Sequence, residues 1–368
     1  MNLFCAINSY GSLNNFYAIH SFILKRKKIF FFTTKDFNKK KLIKHRNIKY
    51  IFLNKEINLR ECSLLFNKFN IKYLYCGTNG NNHFESIFLK TANQKKIVSI
   101  GVLDSIMWPI RRFGMSIKKK IVYQYPSYIG VPNKKILNIL KKKTKSKIFI
   151  CKIPSIQYNV FNYYKHNINN KFLIKNILYI STPFEKKTKI SINNKQDIKF
   201  DEKLFYKIFV KKLNEISIKL KKKINLYIKI HPTEKLNMID YYIKCSSFFQ
   251  KNIKVLVIDK KYNFQIYKNM NLVFGISSTM LYETALCKIP TVSLQLSKDF
   301  NSNKKNYFTK VKGIYVCRNI DYIEKVIKNN FVLNFKKKIN HKFNKFSMKL
   351  YKENLKKNFD MFFNNSFN

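Results

Sequence analysis

The stretch KINLYIKIHPTEKLN, residues 223–237, sets an alternating apolar run against a His-Pro pair and then turns polar. The alternation over INLYIKI predicts a β-strand, in which successive side chains leave on opposite faces, so Lys229 and His231 fall on one face and Ile228 and Ile230 on the other. Pro232 has no backbone N–H and cannot continue a sheet, so it fixes the end of the strand at His231. One ammonium and one imidazole therefore emerge at the carboxyl end of a strand, the edge at which open α/β sheets bind ligands. A histidine at a strand end also serves as an ordinary structural residue, and the rest of the chain has to separate the two readings.

Working outward, the same kind of strand recurs on both sides. Upstream in the same block lie ILYIST (177–182) and a helical pattern around 202–220; downstream lie IKVLVID (253–259), LVFG (272–275) and TVSLQL (291–296). The first half repeats the plan, with NLFCAIN (2–8) and KIFFFTT (28–34) separated by LNNFYAIHSFILK, where Phe16, Ile19, Phe22 and Ile23 fall at helical spacing. Further strands are read at 48–53, 71–77, 96–104 and 147–154. The segment KHNINNKFLIKN, 165–176, is polar and aperiodic and is read as a linker. Strands alternating with helices in two blocks predict an α/β protein of two Rossmann-like domains whose parallel sheets face one another across a cleft. The expected boundaries are 1–170, 171–340 and a C-terminal amphipathic helix over 341–368.

Composition narrows the classes. A chain of 368 residues with 46% hydrophobic content has enough apolar material for two cores. Apolar runs such as Ile29–Phe32 and Val255–Ile258 fall far short of the roughly 18 to 20 residues that span a bilayer. The opening MNLFCAINSYGS has no basic region before its apolar stretch and does not read as a signal peptide, so a cytoplasmic location is expected. Seven cysteines without a CxxC pair argue against a disulfide framework and a zinc site.

The formal net charge of +54 invites a nucleic-acid partner, yet six of the 73 basic residues are arginine, the side chain suited to reading bases. The lysines are scattered through nearly every segment instead of forming a stripe with interleaved aromatics, which disfavours nucleic acid and a non-catalytic basic binding protein. Lysine, asparagine, isoleucine, phenylalanine and tyrosine are all inflated together, as an AT-rich coding sequence would produce. The excess is thus either solvated compositional drift or an attraction to an anionic membrane surface or anionic substrate, about 1 kcal/mol for each nearby lysine. With eight glycines there is no GxGxxG fingerprint and no phosphate-binding P-loop, which removes dehydrogenase and nucleotide-kinase readings. No Asp-x-Asp pair is present, so no metal and no cofactor are expected.

A second informative stretch is NLVFGISSTMLYETALCKIPTVSLQ, 271–295. A strand ends at Gly275, small hydroxyl residues follow at Ser277, Ser278 and Thr279, and a helix runs on through Glu283. Free amides and the positive end of the helix dipole make such a start an anion site, with Glu283 one turn in as an acceptor for ribose hydroxyls. On this segment alone, Ser278 as a plain helix cap and Glu283 as a first-turn acid explain the pattern equally well. The His-Pro strand in the same block favours the anion site.

Together, KIHP at 229–232 and SST at 277–279 resemble the bacterial sialyltransferases and polysialyltransferases of the GT-B fold, which use CMP-sialic acid. CMP-Kdo transferases of capsule assembly and CDP-glycerol glycerophosphotransferases share similar pairs. The resemblance implies an inverting, metal-independent glycosyltransferase that moves sialic acid or a related acidic sugar from a CMP-sugar to a glycan or glycolipid acceptor in lipooligosaccharide or capsule synthesis. Such an enzyme would work in the cytoplasm, at or near the inner face of the membrane. It implies donor contacts from Lys229, Pro232, Ser277, Ser278, Thr279 and Glu283, with His231 acting on the departing phosphate. The family's acidic dipeptide followed by glycine has its nearest counterpart in GVLDSIM, 101–107, where Asp104 remains and the paired acid and the glycine do not. Asp104 then takes the role of catalytic base, with Glu85 as a nearby carboxylate. INSYGSLNNFYAI resembles the family's first strand-loop-helix, which brings Ser9, Tyr10 and Asn14 to the acceptor loop.

Overall fold

The computed structural model describes residues 2–24, 28–39, 42–79, 83–106, 109–117, 120–166, 176–182, 190–191, 197–198, 202–231, 234, 236–258, 264–295, 313–318, 321–332 and 342–364. The chain divides into two compact units. One comprises residues 1–158 together with 342–368, and the other residues 159–341. The expected linker at 165–176 lies for the most part outside the described residues.

The first unit runs β1 (Asn2–Ala6), α1 (Tyr10–Ile19), β2 (Lys28–Thr34), β3 (Ile48–Leu53), α2 (Leu59–Lys68), β4 (Tyr73–Cys76), α3 (His83–Gln94) and β5 (Val98–Val102). It continues with a hairpin of β6 (Gly114–Ile117) and β7 (Lys120–Tyr123), then β8 (Tyr128–Val131), α4 (Lys134–Lys141), β9 (Lys147–Ile150) and the start of α5 (Pro154–His166). Seven strands form one parallel sheet in the order β3-β2-β1-β4-β5-β8-β9. The order reverses at β1, whose neighbours are β2 and β4, so the loops after β1 and β4 leave the sheet in opposite directions and open a crevice between them.

Local chemistry sets these elements. The side chain of Asn58 accepts from the Glu61 N–H while the Glu61 carboxylate accepts from the Asn58 N–H, a reciprocal cap that starts α2. Asn133 caps α4 by accepting from the Ile136 N–H at 3.0 Å. The core beneath the sheet is aromatic, with Phe4, Phe32, Phe66 and Phe88 all buried and the Phe4 and Phe30 rings stacked. Pairing with helices on both faces explains why β4 is buried along its whole length and reads as a continuous apolar run.

The second unit contains β10 (Asn176–Ile180), a small antiparallel pair β11 (Ile190–Ser191) and β12 (Asp197–Ile198), α6 (Glu202–Leu220), β13 (Ile224–Lys229), α7 (Leu236–Ser247), β14 (Ile253–Ile258), β15 (Leu272–Gly275), α8 (Thr279–Leu286), β16 (Thr291–Leu294), β17 (Ile314–Cys317) and α9 (Asp321–Val332). Its six-stranded sheet is parallel, in the order β14-β13-β10-β15-β16-β17. Here the reversal falls at β10. Leu226, Ile228, Phe274 and Val292 from the sheet meet Phe209 and Leu213 from α6 in one core.

The last helix, α10 (Lys342–Asn364), belongs to the first unit. Phe362 is fully buried against the rings of Tyr73 and Tyr128, and Tyr351 donates a hydrogen bond to the Cys151 carbonyl at 3.0 Å. Among the described residues, no helix is long and apolar enough to cross a membrane. Because Phe362 fills the space between two strand aromatics, Phe362→Ala should cost about 3–5 kcal/mol, the range for a large ring removed from a core. Denaturant unfolding followed by a probe in the first unit checks this, and an unchanged midpoint would show that α10 contributes little.

Candidate functional site

Each sheet reversal gathers the polar residues singled out above. In the first unit, β1 ends at Ala6, and Ser9 occupies the N-cap of α1 without a capping bond from its own side chain. The first turn of α1 carries no acidic residue. Asp104, just past the end of β5, supplies one from a distance: its carboxylate lies against the Cα of Gly11, and a methyl group at that position would collide with it. A carboxylate over a helix N-terminus is favoured by the unpaired amides and the dipole there. Arg112 holds the other side of Asp104, with Nη1 2.9 Å from Oδ1 but out of line for a guanidinium hydrogen bond. The Asp104 side chain is 7% exposed and that of Arg112 is 24% exposed, so the pair stands at the edge of solvent.

Beside Asp104 sits Glu85 in the first turn of α3, 2% exposed. Its Oε1 accepts from the Asn8 N–H at 2.8 Å and its Oε2 from the Asn79 N–H at 2.9 Å, so it ties the loops after β1 and β4 together. Gly77 at the end of β4 leaves the space that this carboxylate fills. Burial pushes the Glu85 carboxyl up to about 7, and the nearby Asp104 adds to the rise; the two backbone donors pull the other way and are outweighed.

Of the three expected acceptor-loop residues, Tyr10 packs its ring against Phe37 at 5.2 Å and Asn14 is exposed. The neighbour of Asn14 does the structural work. Asn15 is fully buried; its Nδ2 donates to the Leu103 carbonyl at 3.0 Å and its Oδ1 accepts from the Ser155 N–H at 3.1 Å. Ser12 accepts from the Thr78 N–H at 3.0 Å. These contacts anchor α1 beside Asp104, and the helical spacing used to read α1 could not distinguish them from ordinary core positions.

In the second unit, register places the remaining residues. Ile180 of β10 is paired with Lys229 of β13 on one side and with Gly275 of β15 on the other. The segment after β10, Ser181 and Thr182, therefore lies between Ile230–His231 and Ile276–Ser277. Ser181 donates its N–H to the Lys229 carbonyl at 3.0 Å, and the His231 N–H donates to Ser181 Oγ at 2.8 Å. His231 is partly buried, and its imidazole is lowered to about 4 by desolvation first and by the charge of Lys229 second. It is therefore neutral at pH 7. Lys229 itself is 3% exposed, so it contributes charge from beneath the surface instead of emerging beside His231. Pro232 lies outside the described residues.

Across β10, Ser278 caps α8 by accepting from the Met280 N–H at 3.3 Å, with Ser277, Ser278 and Thr279 all partly exposed. The hydroxyl oxygen is engaged in capping, while its O–H remains a donor. Glu283, one turn into α8, is 4% exposed. Residues that the sequence did not flag complete the site. Glu234 and Ser181 bracket the His231 main chain, and Glu202, fully buried, accepts from the Tyr179 hydroxyl at 2.6 Å. Burial raises the Glu202 carboxyl to about 8. Among the described residues, no group of three or more His, Cys, Asp or Glu is placed to hold a metal ion.

No protein-family model matches the chain. No curated protein matches it by sequence. Among solved structures it is similar to the UDP-GlcNAc 2-epimerase from Methanocaldococcus jannaschii, with 14% identity, 95% of this chain and 99% of that chain covered and a TM-score of 0.60. It is also similar to a glycosyltransferase from Rickettsia africae (10% identity, 97% and 94% covered, TM-score 0.54) and to MurG from Acinetobacter baumannii (10%, 97% and 93%, TM-score 0.50). The fold is thus of the GT-B class, two Rossmann-like units each built on a parallel sheet. Likeness at these identities establishes the fold over nearly the whole chain.

The raised Glu85 carboxyl has a consequence for stability. The folded protein holds the proton between about pH 4.5 and 7, where an unfolded chain would release it. Stability is therefore full below the unfolded value and falls as pH rises through that window, by about 1.4 kcal/mol per unit for one such group. Chemical denaturation of Glu85→Gln beside the unaltered protein, at pH 5 and pH 8, should show a smaller fall in the variant. An equal pH dependence in both would remove Glu85 from this role.

Proposed function

We propose that the chain is an inverting glycosyltransferase that moves sialic acid, or a related acidic sugar, from a CMP-sugar donor to a surface glycan acceptor such as lipooligosaccharide or capsule. The single observation that carries this reading is the meeting, at the carboxyl end of β10, of a neutral histidine on one side and a hydroxyl-lined helix start on the other. A neutral imidazole presents an N–H donor, and the first amides of α8 present several more, all suited to one phosphate group. In this reading Ser277, Ser278 and Thr279 hold the CMP phosphate, Lys229 adds charge beneath it and Glu283 accepts from the ribose.

Transfer requires the acceptor hydroxyl to lose its proton as its oxygen bonds to the anomeric carbon. Asp104, edge-exposed and braced by Arg112, is the group that takes that proton. The bond from the anomeric carbon to the phosphate oxygen breaks with its electrons, and CMP departs with that charge stabilised by His231 and the α8 amides. Displacement in one step inverts the anomeric centre. Monophosphate charge is met by protein donors alone, so transfer should be insensitive to EDTA. An anionic membrane surface as the place of the acceptor is part of the same proposal, suited to the net charge of +54.

A second nucleotide has support from the comparisons, since one of the structures similar to this chain is named for UDP-GlcNAc. Incubating the purified protein with CMP-sialic acid, CMP-Kdo, CDP-glycerol and UDP-GlcNAc, and measuring nucleotide release with and without glycan acceptors, separates these donors. CMP release is the expected result; release of UDP alone would overturn the reading.

Two substitutions then divide the roles. Asp104→Asn should lower the transfer rate about 100 to 10,000-fold, the usual range for a lost general base, with CMP affinity unchanged. His231→Ala should weaken both CMP binding and turnover, because the imidazole touches the phosphate before and during bond breaking. Full transfer activity in Asp104→Asn would move the base elsewhere, with Glu85 the neighbouring carboxylate.

A further inference from the structure

The main chain of His231 is fixed by a network that the donor reading leaves unused. Glu234, 5% exposed, accepts the His231 N–H on Oε2 at 2.8 Å, while its own N–H donates to the His231 carbonyl at 3.0 Å. The two residues thus close a reciprocal loop between β13 and α7. Oε1 of Glu234 accepts from the Tyr242 hydroxyl of α7 at 2.9 Å. Ser181, fully buried at the end of β10, accepts the same His231 N–H at 2.8 Å and donates its hydroxyl to Glu234 Oε2 in a short hydrogen bond. The His231 main chain is therefore gripped from two elements of the sheet edge. A buried N–H needs a partner in any case, but one neutral carbonyl would satisfy it. A buried carboxylate is a costlier and stronger acceptor, and its use here needs a reason beyond satisfying one amide.

We propose that Glu234 and Ser181 are positioning residues that hold the main chain of His231 so that its imidazole is presented to a phosphate at the carboxyl end of β13. The identity of the phosphate rests on the reading given under Proposed function; the grip on His231 does not. Reacting groups displaced by about 1 Å lose on the order of a hundredfold in rate, so a residue with no contact to the substrate can matter through the one it orients.

The test is a double-mutant cycle on the full-length protein with CMP as the probe. Ser181→Ala is close to isosteric, and Glu234→Gln keeps the volume and one acceptor oxygen, so both should fold. In the unaltered background Ser181→Ala should weaken CMP binding about tenfold, the scale of one hydrogen bond to a charged group, with Glu234→Gln less affected. In a His231→Ala background the same substitutions should change affinity by less than about twofold, since residues acting through one group do not add. Equal losses in both backgrounds, or undiminished affinity in a folded Ser181→Ala protein, would overturn the proposal. Amide hydrogen exchange at His231 gives a second measurement that needs no ligand. It should quicken in Ser181→Ala relative to the amides within β13, and unchanged exchange there would also overturn the proposal. If the unaltered protein fails to bind CMP while exchange at His231 quickens as expected, the donor reading falls and the positioning role stands.

Discussion

In each unit a buried glutamate accepts backbone N–H groups at the carboxyl ends of the central strands, and both candidate sites depend on that interaction. Glu85 takes the N–H groups of Asn8 and Asn79 from the loops after β1 and β4; Glu234 takes that of His231 after β13. The loops after β1 and β4 lie where the strand order of the first sheet reverses, and the loop after β13 lies beside the reversal at β10 in the second. Burying a carboxylate costs several kcal/mol, and charge-assisted hydrogen bonds to main-chain donors offset much of that cost. Glu85 shows which side wins, since its carboxyl is still pushed up despite two backbone donors. Hydrogen bonds of this kind restrain the strand ends, and restrained strand ends are what a site needs if Asp104 and His231 are to be presented accurately.

Glycines and two carboxylates act together in the first unit. Gly11 and Gly77 are two of only eight glycines, and each stands where a side chain would displace a carboxylate, Asp104 in one case and Glu85 in the other. The chain has no glycine-rich phosphate loop, and these two glycines are placed for close approach of acids to main chain. That use is invisible to a search for loop fingerprints, because no spacing in the sequence links Gly11 to Asp104 or Gly77 to Glu85.

Several strands were legible as apolar runs. Residues 28–34, 48–53 and 272–275 were read to the residue, their apolar runs being bounded by polar residues or glycine. β8 was not readable: YIGV is four residues, has Gly130 in its middle and is flanked by Pro126 and Pro132, all of which read as a turn. The 147–154 segment is strand only to Ile150, since Pro154 suits the first turn of a helix as well as the end of a strand. At the site, the His-Pro pair marked His231 and the small hydroxyl residues marked the start of α8. Their supports were hidden for opposite reasons. Glu234 is near in sequence but reads as part of a polar turn, and Ser181 lies 50 residues from the amide it accepts.

The electrostatics of the second site follow from the order in which its charges are buried. Desolvation first, and then the charge of Lys229 beneath the surface at the end of β13, keep His231 neutral. A phosphate brought to the same place reverses both effects, because it adds negative charge beside the imidazole and replaces lost solvent with a partner. Under the proposed function the site would hold one fixed positive charge and a second that an anion could induce, without the repulsion that two permanent cations side by side would cost when the site is empty. A leaving phosphate gains charge as its bond to the sugar breaks, so an imidazole that takes up a proton most readily at that moment stabilises the transition state more than the bound donor. A surface lysine in place of His231 would bind both states alike. In the proposed reading, the neutral histidine, held at the strand end by Glu234 and Ser181, is the arrangement that would favour departure over binding.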